Sequence, residues 1–349
     1  MNGVSPDQNL PTAAGPAEVS GSHLKAEDSL CQKQTEREQR RATHGLDAII
    51  VFLVPLMLAV AFFLKACFPL ESCNDVWWHL KTGKFLLEYW DQHGFGFPEN
   101  DVFSVSGETL PWANHEWLAD VLIFLGYDQF GAMGVVALKA LTITLTYLLL
   151  YWLLLRVIRP SDPAKTETTS PATHSALAGV GCILAFMTSQ YTMYLRPPVL
   201  TYLFLVIQLH LMWNLRTGQQ PISKRLSFWA MPVMMVPWVN LHGGAILGIV
   251  LPGLYAMGIA LDGIWNRVRE SRPLPFSEFG SWALLTGLMF LASLCNPFGY
   301  DILMLTAKIM RSPRLIQLIS ELQSPNFHFT RDYEVLIVLL IGLGVLGRR

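Results

Sequence analysis

Charge is scarce in this chain of 349 residues: 15% are Asp, Glu, Lys or Arg, against 52% hydrophobic. A soluble domain carries about 25% charged residues, so much of this surface does not face water. A basic excess is missing as well. With 25 Lys and Arg against 26 Asp and Glu the formal net charge is −1, so the chain cannot neutralise many phosphates and no nucleic acid is expected as a partner. Paired cysteines are absent too: the five, at 31, 67, 73, 182 and 295, contain no C-x-x-C. Only Cys67 and Cys73 are close enough in the chain to suggest a disulfide, and only on an oxidising face. Each cysteine reads more simply as a small hydrophobe. No short apolar segment with a small-residue cleavage site follows the start, so no secretory signal is read there.

What the chain does contain is apolar runs. Residues 1–46 are rich in Ser, Pro, Ala, Gln and charge without an apolar period, which is the composition of a disordered tail. From 47 onward, runs of a length suited to a bilayer core of about 30 Å recur. They lie near 47–67, 132–155, 175–193, 198–215, 226–241, 243–264, 280–295 and 333–347. The expected fold is all-α, a polytopic transmembrane helical bundle over 47–349 with a first extracytoplasmic loop at 68–131.

Trp117 to Phe130 is apolar but only about 14 residues long, which suits an interfacial or re-entrant helix better than a span. If it spanned, Arg156, Arg159 and Lys165 would fall on the side opposite the basic tail. If it lies in the interface, those residues join Arg216–Arg225, Arg267–Arg272, Arg348 and Arg349 on the tail's side. The positive-inside rule favours the second arrangement. That predicts eight spans and a cytoplasmic N-terminus. Lys139 then snorkels from near the start of the second span. Lys308, Arg311 and Arg314 snorkel from interfacial helices between Asp301 and Leu322.

The opposite face collects the unusual polar motifs. Asp75-Val-Trp-Trp-His79 opens an amphipathic pattern, with Asp75 at the positive end of a helix and Trp77 and Trp78 at headgroup level. Its bland reading is a cap with belt aromatics; its functional reading is a carboxylate able to act as a general base. Asp101 lies in Pro98-Glu-Asn-Asp, by default a turn. His115 and Glu116 stand side by side, a spacing that does not by itself make a metal pair. A divalent cation on His115 with His79 or His242 is a possible cofactor that nothing in the spacing demands. Arg196 precedes Pro197-Pro198, which stiffens the chain and starts a helix. A snorkelling arginine is the ordinary reading, yet it sits on the side that disfavours cations and has the geometry to bind a lipid phosphate. Asn240-Leu-His242-Gly-Gly and Asn296-Pro-Phe-Gly read as turns, and Glu321 as a cap, unless they reach a shared cavity.

Together, Asp75-x-Trp-Trp-His-Leu, Pro98-x-x-Asp-x-Phe-Ser104, Trp112-x-x-His-Glu-Trp-Leu118, Arg196-Pro, Trp238-x-Asn-x-His-Gly243, Asn296-Pro-x-Gly299 and Glu321-x-x-Ser-Pro325 carry a resemblance. The chain resembles bacterial multi-span membrane proteins of the GT-C glycosyltransferase superfamily over about residues 47–345. With the spans it implies a multi-pass protein of the cytoplasmic (inner) membrane. The resemblance implies a transferase using a polyprenyl-phosphate-linked sugar, with membrane lipids around it and a glycan, lipid or protein as acceptor. It implies Asp75 as catalytic base. The second acid usual beside that base is missing, since Asn74 and Val76 flank Asp75, and Asp101 is the candidate replacement. Donor phosphate would fall to Arg196 and His242, with His79, Asp101, His115, Glu116, Asn240 and Glu321 as supporting polar groups and no metal ligand assigned. Two other readings compete: a small-solute transporter, which would place ionisable groups near the bilayer midplane, and a non-catalytic membrane scaffold.

Overall fold

The computed structural model describes residues 43–67, 75–105, 111–159, 170–318, 333–338 and 340. Among them the chain is all-α, with a single antiparallel bridge joining Asn100 to Pro111. In order the helices are α1 (Thr43–Ala66), α2 (Asp75–His93), α3 (Trp117–Ile158), α4 (Pro171–Ser189), α5 (Pro198–Thr217), α6 (Leu226–Leu241), α7 (Ile246–Glu270), α8 (Phe276–Ser293), α9 (Asp301–Met310) and α10 (Pro313–Leu318). Five of them, α1, α3, α4, α5 and α7, are long and apolar enough to cross a membrane. Inside a bilayer every backbone group must be satisfied within its own segment, and helices do that. The surface agrees: Phe52, Met57, Leu141, Val180, Val233, Leu261 and Leu291 are all exposed, a belt of apolar side chains suited to lipid. The protein is a multi-pass membrane protein.

Of the other expected spans, 226–241 is α6, which has 16 residues and carries Pro232 and Pro237, and 280–295 falls on α8. Only 333–338 and 340 of the eighth are described, and all are helical. The expected tail lies outside the described residues except for 43–46, which form the first turn of α1. Cys73, and with it the question of a bridge to Cys67, also lies outside them.

α3 is two helical arms. Gly131 breaks the helix with φ 61° and ψ −152°. A Cβ on Gly134 would lie 2.0 Å from the Gly126 carbonyl oxygen, a proximity that eight residues of straight helix, about 12 Å long, forbid. The chain therefore doubles back, and 117–130 forms a hairpin with 132–158. Ile123 of the first arm shares a small apolar cluster with Val135 of the second, and with Val76 and Leu195. Only the second arm is long enough to cross.

Two larger cores hold the bundle. Leu58, Phe62, Tyr147, Tyr151, Ala178 and Cys182 join α1, α3 and α4. Phe228, Met231, Met235 and Trp238 face the second core from α6, at spacings of three and four residues, and meet Trp282, Leu285 and Met289 of α8. With lipid outside, such contacts act mainly through packing and the close approach of small residues. Chain directions are fixed by side-chain pairs. Arg196 and Val199 lie beside Lys139 and Thr142, while His210 reaches Leu149 O at 2.7 Å, so α5 runs parallel to the second arm of α3. Thr201 meets His242 and Asn214 meets Ser227, so α6 runs back along α5. All these helices therefore share two ends. One carries Asp75, Glu116, Arg196 and His242. The other carries Arg156, Arg216, Arg225, Arg267 and Arg269.

Candidate functional site

Three helix ends and one turn build the polar end. α2 lies along the first arm of α3, and Gly83 makes the contact: a Cβ there would lie 2.2 Å from Asp120 O and 2.7 Å from Phe124 Cβ. The expected lipid-surface helix is thus a packed one, with Val76, His79, Thr82, Gly83 and Leu86 buried, while Trp77 and Trp78 stay exposed as expected.

Asp75 is the first residue of α2, and its Oδ2 lies 2.8 Å from Arg196 Nε. Both side chains are partly exposed, at 48% and 31%, so the pair sits at the mouth of the polar end. One turn further along α2, His79 Nδ1 lies 2.6 Å from Asp120 Oδ1 in a buried pair. Asn114 Nδ2 donates to Asp120 Oδ2 at 2.7 Å. An ionised carboxylate only accepts, so Nδ1 of His79 carries the hydrogen and Nε2 is turned away from Asp120. Asp120 is not among the residues expected at the site. It is an acid within an apolar run, four residues after Glu116 and so on the same helical face, and that is the signal that marks it.

Glu116 sits at the N-cap of α3, yet its side chain makes no cap bond. Its backbone N–H is held by Asn114 Oδ1 at 3.0 Å. Its Oε1 faces two imidazoles, His242 Nε2 at 3.4 Å and His115 Nε2 at 3.6 Å. Both distances exceed a hydrogen bond. Gly244 N–H donates to His242 Nδ1 at 2.9 Å, and Thr201 Oγ1 lies at the same distance. A backbone N–H can only donate, so His242 carries its hydrogen on Nε2, pointed at Glu116. The two glycines make room for these rings. A Cβ on Gly244 would meet Nδ1 at 2.7 Å, and one on Gly243 would meet His115 Cδ2 at 3.4 Å.

Burial pushes the Glu116 carboxyl up to about 7; Asp120 and Asp75 add to the rise, and His79 and Arg196 oppose it. Burial depresses His242 to about 3, helped by the charges of His115, Arg196 and His79. Burial also lowers His115, against the pull of Asp120. The ring of His242 is thus neutral at neutral pH and presents one N–H, towards Glu116.

The remaining expected residues fall as follows. Asn240 is a strut: its Oδ1 accepts from Trp117 Nε1 at 2.9 Å, and its Nδ2 donates to Val236 O and Cys295 O. Asp101 Oδ1 accepts from the N–H of Phe103 and of Ser104, the bonding of a turn. Asn296 closes a turn on Ser293 O and Gly299 O. Glu321 lies outside the described residues. Lys139, expected to snorkel, is only 3% exposed and shares with Arg196 a cleft of about 20 Å³, room for a water and no more. No three His, Cys, Asp or Glu side chains among the described residues converge as metal ligands. Coordination through His242 Nε2 would put a hydrogen on Nδ1, against the N–H of Gly244.

Among known proteins, no family model matches the chain, no curated protein matches it at a significant level, and no solved structure does.

Proposed function

We propose that the protein is a membrane glycosyltransferase of GT-C type that moves a sugar from a polyprenyl-phosphate donor to an acceptor hydroxyl at the extracytoplasmic surface. The observation that carries this reading is the Asp75–Arg196 pair at the mouth of the polar end. A guanidinium at this place has the planar fork geometry that suits a phosphate, and cationic stabilisation of a departing phosphate is where such a transfer gains most. A lipid-facing groove of about 380 Å³, walled by Ala59, Val60, Phe63, Leu64 and Thr144, lies between α1 and the second arm of α3 and suits the polyprenyl chain. Support also comes from α2 and the first arm of α3, two helices between the first and second crossings that bring Asp75 and Glu116 to this end. The positive-inside rule gives the arginine-rich end to the cytoplasm, which leaves the polar end outside. The resemblance assigns the base to Asp75.

The test is binding of a polyprenyl phosphate to purified wild type and to Arg196→Ala at fixed salt. A loss of tenfold or more, with an unchanged melting temperature, is expected. Equal binding by both proteins, or none by the wild type, removes the lipid-phosphate site.

A second reading has its own observation. Lys139, His79 and Asp120 are buried ionisable groups in a membrane bundle, and such groups also mark proton-coupled transport. Solute flux in proteoliposomes without sugar transfer would favour it.

A further inference from the structure

We propose that Glu116, rather than Asp75, takes the proton from the acceptor hydroxyl, with His242 and His115 as its positioning residues. The proposal rests on the transferase reading above and deepens it.

The two carboxylates differ in how they are held. Asp75 is half exposed and engaged with Arg196 at 2.8 Å. Glu116 is 19% exposed, makes no cap bond, and has the His242 Nε2–H and the His115 ring near Oε1 at distances too long to bond. Such loose geometry is common in a ligand-free site and tightens when substrate arrives. A hydroxyl placed beside Glu116 and His242 meets an acceptor in Oε1 and a donor in the His242 Nε2–H. Asp120 is also buried, but His79 and Asn114 occupy its two oxygens. His242 cannot take the proton in place of Glu116, because its Nδ1 is held by Gly244 N–H and its Nε2 already carries hydrogen.

In the step itself, the acceptor oxygen forms its bond to the anomeric carbon as the bond from that carbon to the phosphate oxygen breaks. The hydroxyl proton moves to Glu116. The electron pair of the broken bond leaves on the polyprenyl phosphate, whose charge Arg196 faces. The groups bearing on Glu116 are His115 from its own segment, His242 from the turn after α6, His79 and Asp75 from α2, Asp120 from α3 and Arg196 before α5.

The experiment has two readouts. In the first, kcat/KM for transfer is followed from pH 5.5 to 8.5. Wild type is expected to rise through about 7 and level off, as a base that must be ionised requires. Glu116→Gln is expected to lose roughly 10²–10⁴-fold in kcat with the donor KM unchanged, and Glu116→Asp to recover part of it. Asp75→Asn is expected to keep the acidic limb and raise the donor KM. A Glu116→Gln enzyme within a few-fold of wild type overturns the proposal. The second readout is the infrared carboxyl band of the protein without substrate, expected to titrate near 7 in wild type and to vanish in Glu116→Gln. A band unchanged by the substitution overturns the proposal even if transfer is lost. Wild type that transfers nothing while its band titrates overturns the transferase reading instead.

Discussion

Arg196 and Arg225 stand at opposite ends of α5, and their partners differ in kind. Arg225 directs its guanidinium at the last carbonyls of the helix, bonding Asn214 O at 3.2 Å, Leu215 O and Gly218 O. A cation belongs there, at the negative end of the helix dipole. Around it Arg216 and Arg269 lie over Trp213 and Trp265 of their own helices, at 5.7 and 5.4 Å. Arg196 stands at the positive end of the same helix, where the dipole repels it, and a carboxylate from another helix faces it. At the arginine-rich end, helix carbonyls and neighbouring rings account for Arg225, Arg216 and Arg269. At the polar end, charges face one another across elements in arrangements that no single helix favours, the pattern expected of a working site.

The contrast can be broken by measurement. The largest effect is expected from Asp120→Ala, which leaves His79 and Asn114 without their buried partner. It should lower unfolding stability by about 4 kcal/mol, read by denaturation in detergent or bicelles. A loss under about 1 kcal/mol would put this pair in the same class as the surface ones.

Glu116→Gln should act in the other direction and only at higher pH. The folded carboxyl titrates near 7 and the unfolded one near its ordinary 4.5, so the folded state alone holds the proton between those values. Wild-type stability therefore falls as pH rises from 4.5 to 7, and the deficit is complete above 7. Removing the charge should raise stability by up to about 3 kcal/mol at pH 8 and by nothing below pH 4.5. Melting temperatures of both proteins across that range check it, and a pH-independent difference would show the carboxyl is not confined.

The smallest effect is expected at the other end. Glu270 and Arg272 pair at 2.8 Å, but both are at least half exposed, so Glu270→Gln should change stability by less than about 0.5 kcal/mol. A larger cost would mean that the arginine-rich end also depends on specific pairing.

Much of the frame was legible before the fold. Apolar length identified the five helices long enough to cross, α1, α3, α4, α5 and α7, and the expected run 226–241 coincides with the shorter helix α6 to the residue. The shortness of 117–130 marked it as something other than a crossing. Segregation of cations from unusual polar motifs foretold the two ends. The partners were not legible, because they are tertiary: nothing in Asp75 or Arg196 alone says that they pair, and Asp120 was masked by the apolar run around it. Lys139 was read by proximity to a span boundary, while the fold buries it where the first arm of α3 turns back over the second. His242 was expected beside the donor phosphate, and nothing in the sequence tells which ring nitrogen carries its hydrogen. Gly244 N–H fixes that hydrogen on Nε2, on the side of Glu116.

The break at Gly131 has a consequence for how the chain is threaded during synthesis. Residues 117–158 leave the ribosome as one apolar stretch of 42 residues. Whether that stretch enters the bilayer once or twice decides on which side every later loop emerges. A turn that lets the first arm fold back on the second leaves only the second arm long enough to cross. The meeting of Arg196 and His242 with Asp75 and Glu116 therefore depends on a reversal of chain direction at a single glycine.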